Sequence, residues 1–126
     1  MDFRLPTEAE WEYVAQGGNR SCNYLYSGSN NFNEVAWELD RYTGVHVVAA
    51  KKPNELGVYD MSGNVCEYCS DWFDENYYKY SPQIDPTGPI NGEIRVKRGG
   101  GLLVVREAEP PEYVDSRTGL RLVLDE

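Results

Sequence analysis

Apolar positions near the start of the chain recur with a helical spacing. Trp11, Val14 and Ala15 fall on one face of a helical wheel, and Ala9, Tyr13 and Gln16 fall on another. Residues 4–17 therefore predict a strand end, a turn fixed by Pro6, and a helix closed by Gly17 and Gly18. Thr7 and Glu10 have the spacing of a capping box, in which a hydroxyl takes the N3 amide and a carboxylate reaches back. Glu8, Glu10 and Glu12 sit near the positive end of that helix dipole.

Further along, the pattern shortens and loops dominate. Residues 18–33 are rich in Ser, Asn and Gly and predict a loop. A helical turn is expected over 34–39 around Trp37, broken at Thr43-Gly44. A strand containing His46 is expected over 45–50. Residues 57–61 are extended, then Ser62-Gly63-Asn64 turns. Imperfect alternation predicts a strand over 65–72, and the tyrosines of 74–81 predict a helical turn or packed loop. Strands are expected over 94–98 and 102–106, with an acidic loop over 107–118 and a closing strand over 119–124. The sum is an α+β domain over residues 1–126, with short strands and long ordered loops.

Composition narrows the partners. The 126 residues carry 40% hydrophobic and 13% aromatic side chains, enough for a folded core. Ten tyrosines and three tryptophans suit a loop-rich core or a binding surface. The net charge of −9, with no basic stripe, excludes nucleic acid and anionic membranes as natural partners. No run is long enough to span a bilayer and no apolar leader opens the chain, so no compartment is assigned.

The densest chemistry lies between Asn54 and Trp72. Cys66 and Cys69 form a Cys-x-x-Cys pair, and Cys22 makes the count odd, against a complete disulfide framework. In a strand, residues three apart point to opposite faces, so separate buried thiols are expected. A redox pair, or a zinc site completed by Cys22 and His46, is the alternative. His46, the only histidine, has no nucleophile partner in the pattern and is read as structural. Arg98, Arg106 and Arg121 are expected to pair with Asp71 or Glu67. Tyr77, Tyr78, Tyr80 and Tyr113 are candidates for a binding surface, with core packing as the alternative.

Four blocks stand in one order. They are Arg4-Leu-Pro-Thr-Glu-Ala-Glu-Trp-Glu-Tyr13, Gly57-Val-Tyr-Asp-Met-Ser-Gly-Asn-Val65 with Glu67 and Asp71-Trp72, Arg95-Val-Lys-Arg-Gly-Gly100, and Gly119-Leu-Arg-Leu122. This order resembles the formylglycine-generating enzyme, or sulfatase-modifying factor, family. The resemblance implies a C-type-lectin-like fold with short twisted strands. It covers the later part of the family domain, so the chain reads as N-terminally truncated, and exposed strand edges and a homodimer or strand exchange are expected.

The resemblance also implies a calcium site at Asn64 and Glu67, with backbone carbonyls near Gly63 and Val65; oxygen donors suit that ion. Oxidases of the family hold copper on two cysteines soon after the Arg-Gly-Gly block. Here no cysteine follows Cys69, Gly101-Leu102 replaces the usual Ser-Trp, and the segment 101–118 is short. Copper is therefore not expected. The expected function is a non-catalytic module that is structural or binds a protein or glycan ligand. The alternatives are a copper-dependent oxidase of a protein cysteine, and a diversified receptor varying within 101–118.

Overall fold

The computed structural model describes residues 1–38 and 44–126. Strand β1 (Asp2–Arg4) leads through Pro6 into helix α1 (Glu8–Ala15). Both halves of the expected capping box form: Thr7 Oγ1 accepts from the Glu10 amide at 3.1 Å, and Glu10 Oε1 accepts from the Thr7 amide at 2.8 Å. Such a cap is worth about 1 kcal/mol. Helix α2 is a single turn (Phe32–Val35) capped by Asn31; it begins two residues earlier than expected and ends before Trp37. Leu39 and Thr43, named in that expectation, lie outside the described residues.

Four further strands follow β2 (Cys66–Trp72): β3 (Arg95–Arg98), β4 (Glu107–Glu109), β5 (Thr118–Gly119) and β6 (Val123–Asp125). One sheet has the order β4-β3-β2-β5, with β2 antiparallel to β3 and parallel to β5. A separate ribbon pairs β1 antiparallel to β6, with Phe3 opposite Leu124. The tyrosine segment makes the expected helical turn, a single 3₁₀ turn at Tyr77–Lys79.

Two expected strands are absent. Over 45–50, Asn64 and Asp60 side chains bond the backbone: Asn64 Oδ1 accepts from the His46 amide and Asp60 Oδ2 from the Ala49 amide, each at 2.8 Å. Ala49 has a φ of 59°, incompatible with an extended run. His46 stacks on Trp37 at 3.9 Å between ring centroids, a structural role as expected. Over 102–106, Leu103 is the one fully buried side chain, and the Val105 amide closes a turn on the Leu102 carbonyl at 3.2 Å.

The core gathers α1, β2 and β3 around Trp11, Ala15, Met61, Cys69, Val96 and Leu103. Gly63 locks the β2 approach onto Trp37. Its φ is +75°, and an added Cβ would stand 2.1 Å from the Trp37 carbonyl oxygen, so no side chain fits. Large apolar side chains remain outside as well: Phe3, Leu120, Leu122 and Leu124 are exposed on or beside the ribbon. Among the described residues, no helix is long and apolar enough to cross a membrane.

Candidate binding groove

Pleating gives β2 and β3 two chemically different faces. Glu67, Cys69, Asp71, Val96 and Arg98 point to α1, whereas Cys66, Tyr68, Arg95 and Lys97 point away.

On the helix side, charges close on one another. Glu8, 1% exposed, is not a surface acid serving only the helix dipole. Its Oε2 receives Arg98 Nη1 at 3.0 Å and Arg106 Nε at 2.7 Å. Its Oε1 receives Arg106 Nη2 at 2.8 Å and the Tyr78 hydroxyl at 3.1 Å. Burial and then the Glu8 charge push the Tyr78 phenol up, so it stays a donor. Arg98 also meets Glu12 at 2.9 Å, donates to the Leu103 carbonyl, and lies 5.1 Å from the Trp11 ring. Asp71 Oδ1 accepts the Glu8 amide at 2.8 Å. Thus Arg98 and Arg106 pair with Glu8 rather than with Asp71 or Glu67. Arg121 does pair with Glu67, its Nε lying 2.8 and 3.1 Å from the two oxygens.

On the other side lies a groove of about 560 Å³ lined by residues of β2, β3, β4 and the 113–118 segment. Cys66 donates its thiol to Glu107 Oε2 at 2.9 Å. Burial, then that bond, push the Cys66 thiol up to about 12. Cys69 sits in the core on the opposite face, and burial pushes it up also. Neither is the low-pKa thiol that redox exchange requires. Tyr68 donates to the Pro110 and Tyr113 carbonyls at 3.1 Å, which fixes the groove wall. Lys97 is only 6% exposed and lines the groove. Its Nζ lies 5.9 Å from the Tyr68 ring centroid and 5.5 Å from that of Tyr113. Of the four tyrosines named as surface candidates, Tyr113 lines this groove, Tyr77 is buried, Tyr78 serves Glu8, and Tyr80 bonds Asp74.

Asn64 and Glu67 both line another cavity, of about 440 Å³, together with Asp60 and Arg121. Asn64 clamps the His46 backbone through both amide atoms, at 2.8 and 3.1 Å. Glu67 Oε1 accepts the Trp11 indole at 2.8 Å in addition to Arg121. Asp60 Oδ1, which sequence reasoning did not single out, is buried without a partner among the described residues.

Comparison with known proteins fits this fold. Residues 2–126 match the sulfatase-modifying factor enzyme 1-like domain, and the chain belongs to that family. It is 40% identical, over 146 aligned positions, to a formylglycine-generating enzyme of Streptomyces coelicolor, covering 97% of this chain and 46% of that protein. It is 42% identical to "Chaperone protein LppX" of Paenibacillus barcinonensis, over 79% of this chain and 38% of that one. The structure of Treponema denticola variable protein 1 superposes with a TM-score of 0.83 at 38% identity, covering 95% of this chain and 46% of that one. The α+β fold is thus of the formylglycine-generating-enzyme type. The chain spans less than half the length of these relatives.

Proposed function

We propose that this chain is a non-catalytic binding module of its family, with the Cys66–Lys97 groove as its ligand face. One observation carries the reading: the groove holds a single thiol, Cys66, hydrogen-bonded to Glu107 and pushed up to about 12. A copper(I) site on two thiolates needs both sulfurs to converge in ionised form. Cys69 lies on the far face of β2, and no cysteine follows it in the chain, so the donor set does not fit copper. The relatives carry the names of a formylglycine-generating enzyme and a chaperone, which agrees with one scaffold serving several tasks through local changes. The test is to supply copper(I), oxygen and a cysteine-containing peptide and to follow the peptide by mass spectrometry. No aldehyde is expected; conversion of the peptidyl thiol to an aldehyde would refute the reading.

The same proposal places calcium at the second cavity. Asp60 supplies the unpartnered oxygen, and Asn64 and Glu67 line the space beside it. Bound there, calcium would tie the 57–65 loop to β2, and Arg121 already neutralises part of Glu67. Calcium is expected to raise the melting temperature, and Asp60→Asn to remove that rise. An unchanged calcium response in Asp60→Asn would rule the site out.

A further inference from the structure

Lys97 is the anomaly of the groove. Its side chain is almost wholly covered and its ammonium faces the groove, yet none of the described carboxylates forms an ion pair with it. Glu107 stands directly opposite Lys97 in the β3–β4 ladder, the natural cross-strand partner. That carboxylate instead takes the Cys66 thiol. Two positions along β4, on the same face, Glu109 lines the groove and makes no side-chain bond within the described structure. The groove therefore carries charges of both signs, Lys97 and Arg117 of one and Glu107, Glu109 and Asp115 of the other, with Tyr113 beside Lys97.

A purely anionic ligand would meet three carboxylates there, and a purely cationic one would leave the Lys97 ammonium without a partner. We infer that the groove binds a small zwitterion, such as the free ends of a short peptide or an amino acid, its carboxylate on Lys97 and its ammonium on Glu109. This names the ligand class for the binding-module reading and rests on it. The groove is large enough to admit such a ligand. Tyr113 offers an apolar face beside Lys97 for whatever lies between the two charges.

Glycylglycine is the probe, followed by amide shifts in the ¹H–¹⁵N spectrum of the whole chain. Shifts are expected at Lys97, Glu109 and Tyr113. N-acetylation or C-amidation of the probe should each weaken binding at least about tenfold, the loss of one charged hydrogen bond. In Lys97→Met, free and amidated peptides should bind alike. In Glu109→Gln, free and acetylated peptides should bind alike, which keeps the test intact if the buried position tolerates no change. Equal binding of blocked and free peptides by the unmodified protein, or no shift at all, would overturn the ligand class. Aldehyde formation in the assay above would instead remove the binding reading beneath it, so the two failures are distinguishable.

Discussion

Lys97 and Arg98 are neighbours on β3, both cationic and both buried, yet their surroundings differ completely. Arg98 meets Glu8, Glu12 and the Leu103 carbonyl, and the planar fork of a guanidinium suits such multiple acceptors. Lys97, one residue earlier and on the opposite face, has two aromatic rings near its ammonium and no ion pair among the described residues, although carboxylates line the same groove. A single strand thus separates a cation knitted into ion pairs from one that forms none among the described residues. The first network holds α1, the β2–β3 sheet and Arg106 together, with Arg98 Nε and Asp71 Oδ2 still buried without partners. The second opens on a groove, and access to a ligand is what distinguishes a ligand face from a structural one.

The sharpest way to break this contrast is at Glu8. Glu8→Gln leaves Arg98 and Arg106 beside a neutral amide in a buried site, and such loss of one partner costs about 3–5 kcal/mol. Urea unfolding should show that loss, and should show no comparable loss for Glu109→Gln in the groove. A mild effect at Glu8 would mean that its ion pairs do not hold α1 to the sheet. A smaller effect is expected at Thr7→Ala, which removes the hydroxyl that holds the first turn of α1 and with it the placement of Glu8. The expected cost is about 1 kcal/mol, read as a lower urea midpoint at unchanged slope.

Much of the scaffold was legible in the residues. Thr7 and Glu10 mark the start of α1 because capping chemistry is local. The alternation of 65–72 marks β2 and correctly separates Cys66 from Cys69, since the period of a strand is fixed. The pairing of Arg121 with Glu67 was also foreseen. What escaped notice depends on distant segments meeting. Glu8 reads as an ordinary first-turn acid until residues ninety and ninety-eight positions away arrive on it. Valines at 45, 47 and 48 suggest a strand, but they stay exposed and the 45–50 backbone is held by side chains instead. Lys97 reads as a surface lysine, because nothing local reveals that Tyr68 and Tyr113 close over it. The available signal was the strand expected over 94–98, in which neighbouring residues take opposite faces.

The most direct test compares Lys97→Met with Arg98→Met in urea unfolding of the same chain. Methionine keeps the unbranched stem and removes only the charge and its donors. Arg98→Met removes one of the two guanidinium partners of the buried Glu8 and should lose about 3 kcal/mol. Lys97→Met removes an unanswered charge and should unfold at the same midpoint or a higher one. Equal destabilisation by the two substitutions would show that Lys97 is already partnered in the folded protein and would contradict the account.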